Sequence, residues 1–289
     1  MDTFQEPIHY QNDRLCMKVW QFADDRTVYP PTRRWHFHPE VELIVVLEGR
    51  LDIRTPNNAY VLSPGDVVLI GSSQLHLSNK VDAEPLVYIV LHVDLKPYFD
   101  DATMMYARHF SEIVSPLEEL NYMLIDNAEV RREIGQVIVD AHREMMNKPK
   151  GYEIAISMHM KRLLLTLLRN DDRELLQPYE FVDAAAIQPV LDYVGSHLQR
   201  LDMEQASRIA GMSYSYFSKY FKKCVGVSFT SYVNRQRIRR AEQLLITKTD
   251  VITDIAAEVG IENMAHFYEL FKRYTGCTPK QYARKLLGR

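Results

Sequence analysis

The hydrophobic rhythm of the chain changes twice along its length. From Arg34 to Asp94, short β-branched runs alternate with turn residues: Val41 to Leu47 then Glu48-Gly49, Leu51 to Arg54 then Pro56-Asn57-Asn58, Ala59 to Leu62 then Ser63-Pro64-Gly65-Asp66, and finally Val67 to Ile70 and Leu86 to Val93. That spacing predicts an antiparallel β-barrel or sandwich. Beyond Asp100 the period lengthens. Ala128 to Met146 and Glu153 to Leu168 carry apolar residues three and four apart, as amphipathic helices do, with the loop Asn147 to Gly151 between them. After a second break at Gln177-Pro178-Tyr179-Glu180 the pattern is helical to the end. The expected fold is α+β with two domains. Residues 1–100 form the barrel, 101–180 a helical linker, and 181–289 an all-α domain.

The last region repeats itself at a spacing of fifty residues. Ala206 matches Ala256, Phe217 matches Phe267, Phe221-Lys222 matches Phe271-Lys272, Gly226 matches Gly276, and Tyr232 matches Tyr282. Each copy reads as helix, tight turn, helix. Asp202 and Gln205 form a capping box opening Met203 to Ala210, and Ser213 caps Tyr214 to Lys223 after Gly211-Met212. In the second copy Thr253 caps Asp254 to Val259, and a helix from Asn263 to Tyr274 follows Gly260-Ile261. Phe217, Tyr220 and Phe221, like Phe267, Leu270 and Phe271, fall on the inward stripe. The outward residues are then Ser215, Ser218, Lys219 and Lys222 in one copy, and Ala265, His266, Tyr268, Glu269 and Lys272 in the other. Such groups suit base edges, with Glu269 able to accept from cytosine N4, whereas Lys222, Lys223, Lys272 and Arg273 near the helix ends suit phosphates. A connecting helix, Phe229 to Ile246, carries Arg235, Arg237, Arg239 and Arg240.

Composition changes this picture only when it is divided. The net charge of −3 and pI near 6.4 speak against a polyanion partner. Residues 181–289, however, hold 16 Lys and Arg against 10 Asp and Glu, a balance of +6 that leaves −9 for residues 1–180. Cys16, Cys224 and Cys277 are too few for a disulfide framework. The N-terminus lacks a basic start and an apolar run, and no apolar stretch approaches the ~20 residues of a membrane span. A cytoplasmic protein without membrane contact is expected.

At this point the chain resembles the AraC family of transcription regulators. The resemblance rests on Arg237-Ile238-x-x-Ala241-x-x-Leu244-Leu245, Ile252-x-x-Ile255-Ala256-x-x-Val259-Gly260, and Phe267-x-x-x-Phe271-Lys272-x-x-x-Gly276-x-Thr278-Pro279-x-x-Tyr282, and covers residues 183–287. It implies two helix-turn-helix units on one long helix, placing two recognition helices in successive major-groove segments. It also implies double-stranded DNA and RNA polymerase as partners, with activation and repression both open. At position 269 family members often carry arginine where this chain has Glu269.

The β region contains His36-x-His38-x-x-x-Glu42, with His76 beyond the Pro64-Gly65-Asp66 turn. Strand alternation puts His36, His38 and Glu42 on one side, with Trp35 and Phe37 on the other as packing residues. This is similar to the cupin pattern over residues 20–95, except that Gly71 and Ser73 stand where cupins usually have proline and glycine. Three readings stay open for His36, His38, Glu42 and His76: a metal-free pocket for a small-molecule effector, a divalent metal site, or ordinary structural histidines. Which face His92 and Tyr88 occupy is not legible. Family resemblance implies a regulator with a carbohydrate effector; the alternative is a cupin metalloenzyme or metal-dependent sensor with a helical appendage.

In the linker, Val130, Ile134, Val137, Ile138 and Ala141 form one stripe, and Ile154, Met158, Leu165 and Leu168 another. One helix must cover the barrel. The remaining apolar face is expected either to do the same or to pair with a second subunit, as relatives do, giving a homodimer.

Overall fold

The computed structural model describes residues 4–24, 35–100, 102–110, 116–176, 187–225, 227–247 and 251–287. They divide into two units, one ending at Leu176 and one starting at Ile187. The boundary expected at residue 180 lies outside the described residues, as does Gly226 of the repeat. None of the described helices is long and apolar enough to cross a membrane. The three cysteines are free thiols.

In the first unit the strands are β1 (Phe4–Gln5), β2 (Met17–Asp24), β3 (His36–Phe37), β4 (Val41–Glu48), β5 (Leu51–Arg54), β6 (Ala59–Leu62), β7 (Val67–Ile70), β8 (Leu77–Lys80) and β9 (Leu86–Val93). A four-stranded sheet runs β2-β9-β4-β7 and a three-stranded sheet β6-β5-β8, both antiparallel. The pair β1-β3 is parallel, a departure from the all-antiparallel expectation. Strand alternation sorts β4 into two cores. Val41, Leu43 and Val45 face the helices, while Ile44 and Val46 face the second sheet. Burial on both faces is why Leu43 to Val46 reads as an unbroken apolar run. Across the space between the sheets, Lys80 of β8 approaches Asp24 of β2 at 3.7 Å.

Three helices cover the outer face: α1 (Asn121–Asp126), α2 (Ala128–Asn147) and α3 (Tyr152–Arg169). Asn127 caps α2, its side chain accepting from the amides of Glu129 and Val130. The α2 stripe is buried as expected, Val130, Ile134, Val137, Ile138 and Ala141 all lying in the core. Gly135 brings the helix within contact distance of Val45 and Val67. In α3 the packing face is different from the quoted stripe. Ile156, Met160, Leu163, Leu164 and Leu167 are buried, whereas Ile154 and Met158 are 69% and 65% exposed and Leu165 is exposed too. A helix bearing apolar residues nearly all round offers two stripes at the same spacing, and periodicity alone does not choose between them.

The second unit is helical: α4 (Gln188–Ser196), α5 (Met203–Ile209), α6 (Tyr214–Val225), α7 (Phe229–Thr247), α8 (Ile252–Glu258), α9 (Met264–Thr275) and α10 (Pro279–Leu287). Asp202 caps α5 through the Glu204 amide, and Ser213 accepts from the Tyr216 amide at the start of α6. The cap of α8 is Val251 without a side-chain bond, not Thr253, whose hydroxyl sits against Asp254. The turns after α5 and α8 depend on Gly211 and Gly260, both in the left-handed region. At Gly260 a Cβ would stand 2.3 Å from the Gln199 carbonyl oxygen. Gly260→Ala therefore combines backbone strain with a clash. We expect a loss of more than about 1 kcal/mol from the second unit, read by urea unfolding.

Candidate functional site

The histidines are brought together by strand register. Glu42 lies directly opposite His92 in the β4–β9 ladder, so both side chains point between the sheets. His36 and His76 form an isolated antiparallel bridge, exchanging two backbone hydrogen bonds of 2.9 Å, and their rings lie 4.1 Å apart. The chain bends at Pro39-Glu40, so no single strand carries His36, His38 and Glu42 as expected; His38 enters from the bend. Its carbonyl accepts from the Ser73 amide at 2.7 Å, which ties the bend to the Gly71–Leu75 loop.

One carboxylate oxygen is the meeting point. Nε2 of His38, His92 and His76 lies 2.8, 2.9 and 3.3 Å from Glu42 Oε2. All four residues are buried, and His36 stands at the rim, 3.5 Å from Glu6. Burial alone would raise the Glu42 carboxyl. The His76 charge and the hydrogen bonds from His38 and His92 outweigh it and hold the group well below the ordinary carboxylate range.

The other ring nitrogens decide what this cluster can hold. Nδ1 of His76 faces the Gln74 carbonyl at 2.9 Å, and Nδ1 of His38 the Glu40 carbonyl at 3.2 Å. A carbonyl only accepts, so each Nδ1 carries a hydrogen. In a neutral ring Nε2 then presents a lone pair to an anionic oxygen, which is repulsive unless a second proton or a cation stands between them. His76 Nε2 accordingly makes no hydrogen bond although it is buried. Nδ1–H bonded to a carbonyl is the usual support of a metal-ligating histidine. Ligands bonded at about 2.1 Å stand roughly 3 Å apart when adjacent in an octahedron, close to the separations seen. His38, Glu42 and His92, and His36, Glu42 and His76, are each placed so that they could hold an ion. This nitrogen and oxygen set suits a divalent metal such as Zn, Mn, Fe or Ni.

Sequence alone left the face of His92 open and did not place it in the site. Apolar residues at both parities of β9, among them Leu86, Ile89, Val90, Leu91 and Val93, hide which parity faces inward, and only pairing with Glu42 reveals it. Beside His92 on the same face, β2 contributes Lys18, Trp20 and Phe22. Phe22 lies opposite Tyr88 with ring centroids 5.0 Å apart, and the Lys18 ammonium is 5.5 Å from the Trp20 ring centre. Trp35 and Phe37 are buried packing residues, as alternation requires.

In the second unit the positions identical between the repeats are mostly core. Ala206 and Ala256, Phe217 and Phe267, Phe221 and Phe271, and Tyr232 and Tyr282 are all buried, with Phe221–Tyr232 and Phe271–Tyr282 rings at 5.6 and 5.4 Å. Ser215, Lys219, Lys222, Lys223, Ala265, His266, Tyr268, Glu269, Lys272 and Arg273 are exposed on α6 and α9, and Ser218 is half-buried. Tyr220 is only half-buried and stacks on Tyr216; Cys224 completes the inward stripe instead. Arg273 is held at 2.6 Å by Glu269, so the two form one unit on the outer face of α9. Tyr214 and Tyr216, 52% and 59% exposed at the start of α6, were not singled out from sequence. The Ser213 cap was the available signal, because side chains just after such a cap reach base edges. Arg237 is structural, its Nε donating to the Leu198 carbonyl at 3.0 Å.

Comparison with known proteins separates the two units in the same way. A helix-turn-helix domain model matches residues 206–285 and a cupin domain model residues 26–92. The chain is an AraC-type helix-turn-helix transcription regulator with a cupin domain. It is 21% identical over 250 residues to an uncharacterized HTH-type transcriptional regulator, YdeC, of Bacillus subtilis (strain 168), covering 86% of this chain and 85% of the relative. It is 27% identical over 241 residues to an uncharacterized HTH-type transcriptional regulator of Staphylococcus aureus, covering 82% of this chain but 30% of that longer protein. Among solved structures, unsaturated fatty acid bound ToxT of Vibrio cholerae strain SCE256 is 14% identical over 94% of this chain and 96% of its own, with a TM-score of 0.38.

The AraC-type unit also carries a titrating group. Burial pushes the Glu242 carboxyl of α7 up to about 7, against the downward pull of the Tyr282 hydrogen bond and of Arg239 and Arg235. An unfolded glutamate titrates near about 4.3. A raised folded value means the stabilisation is full below the unfolded value and is lost as pH rises through 7. The melting temperature of this unit should therefore fall between about pH 5 and pH 8, and Glu242→Gln should flatten that fall.

Proposed function

We propose that the chain is a cytoplasmic, ligand-responsive activator. A small molecule bound between the two sheets shifts a homodimer between two arrangements of its DNA-binding units, and one of these recruits RNA polymerase at the bound site. The shift requires the ligand to favour one arrangement energetically. The observation that carries the sensing half is the convergence of three imidazole nitrogens on Glu42 Oε2 within 2.8 to 3.3 Å. His38, Glu42, His76 and His92 would hold a divalent metal, with His36 at the entrance. When bound, the metal supplies a positive centre that takes a ligand hydroxyl or carboxylate. The aromatic faces of Trp20, Phe22 and Tyr88 next to it suit the C–H face of a carbohydrate, the effector class favoured here.

The same ligand set favours a second reading, a metalloenzyme. Turnover of a sugar or phenolic substrate by the metal-loaded protein, lost in His38→Ala, would support it over a sensor.

DNA reading is assigned to α6 and α9, with Lys219 and Glu269 at base edges and Lys222, Lys223, Lys272 and Arg273 at phosphates. Lys219→Ala should relax selectivity at one position by about 1–3 kcal/mol. Lys222→Ala should weaken all sequences alike and lower the salt slope by about 1. Both are read by binding titrations at several salt concentrations, and absence of salt-sensitive, sequence-selective retention in the wild-type protein would sink the proposal.

The exposed face of α3 is assigned to the second subunit. Met158→Glu should then yield a folded monomer in sedimentation experiments, because Met158 is exposed within one chain. An unchanged sedimentation coefficient would move the interface elsewhere.

A further inference from the structure

A second buried carboxylate, outside the histidine cluster, is tied to it by one side chain. Glu118 sits in the short turn Leu117–Leu120 that leads directly into α1, and it is buried. Its Oε1 accepts from the Thr55 hydroxyl at 2.7 Å, the Asn58 side-chain amide at 2.9 Å and the Tyr60 hydroxyl at 3.0 Å. Its Oε2 accepts from the Gln74 side-chain amide. Four donors go far toward saturating a carboxylate, which is what a buried anion requires.

Gln74 is fixed at each of its polar groups. While Nε2 is held by Glu118, Oε1 accepts from the Gly71 amide at 2.8 Å, and the main-chain carbonyl receives Nδ1–H of His76 at 2.9 Å. The last bond sets the His76 ring so that Nε2 points at Glu42. Releasing Gln74 would free the Gly71–Leu75 loop, which also holds the His38 carbonyl through Ser73.

We infer that Glu118 is a positioning residue for His76, acting through Gln74, and that this relay couples the histidine cluster to the linker helices. The inference rests on reading the cluster as a ligand site. Anything that pulls His76 toward a bound cation loads the Gln74 carbonyl and, through the same side chain, the turn that starts α1. By reciprocity, movement of that turn alters affinity at the cluster.

The test uses the full chain and Zn²⁺ as the probe. Glu118→Gln keeps the shape but offers an amide where donors need an acceptor. It should bind Zn²⁺ roughly tenfold to a hundredfold more weakly and, without metal, exchange the amides of residues 71–76 faster. The control is Asn121→Ala. Asn121 is equally buried and ties the same segment to the Leu69 amide and carbonyl at 2.8 Å each, without touching Gln74. It should leave both readouts within about twofold of wild type. Equal effects in the two variants, or none in Glu118→Gln, overturn the relay. If Glu118→Gln does not fold, Gln74→Ala, which leaves Glu118 three donors, should give the same pattern. Zn²⁺ should also slow exchange over residues 117–126 in wild type but not in Gln74→Ala; an equal slowing in both overturns the coupling. Should wild type take up no Zn²⁺, the metal reading fails by itself, and the metal-free exchange comparison still decides the relay.

Discussion

One anionic oxygen at the junction of three imidazoles organises the first unit. Burying Glu42 without compensation would cost several kcal/mol, so its surroundings have to supply positive charge or hydrogen-bond donors. The β4–β9 register delivers His92, the His36–His76 bridge delivers His76, and the bend at Pro39-Glu40 delivers His38. Each delivery depends on a backbone feature away from the cluster. A shift of one residue in the β4–β9 pairing would turn Glu42 toward the helices and leave the histidines facing nothing.

The second unit follows a different logic. Its two copies share their inward aromatic residues and differ on their outward faces, where Ser215, Tyr216, Ser218 and Lys219 in one correspond to Ala265, His266, Tyr268 and Glu269 in the other. Shared interiors hold two recognition helices in equivalent frames, and different surfaces let each read a different sequence. Among the described residues, Lys222 and Lys272 form an identical exposed pair. Identity at a surface position fits contact with phosphate, which is the same at every step of DNA.

How legible this was in the sequence depended on periodicity. The repeat, its turns and its inward stripe could be read because Phe, Gly and Tyr recur at fixed offsets and a helix has one period. The recognition faces followed by subtraction. His92 could not be placed, because Leu86 to Val93 is buried on both faces and alternation carries no signal there. The working face of α3 was ambiguous for a similar reason, since two apolar stripes coexist. Glu118 and Gln74 were invisible because their partnership spans 44 residues and uses ordinary polar side chains in unremarkable loops. Local pattern reports faces; it does not report which distant loops meet.

As a metal site, the cluster places a cation among His38, Glu42, His76 and His92. Elemental analysis of the full-length protein after purification without added metal or chelator addresses it directly. About one equivalent of a single first-row divalent metal per chain is expected in the wild type, with its loss in a folded His92→Ala variant. Wild-type protein that is folded, metal-free and unable to take up Zn, Mn, Fe or Ni would contradict it, leaving the cluster as a charged hydrogen-bond network of imidazolium and carboxylate.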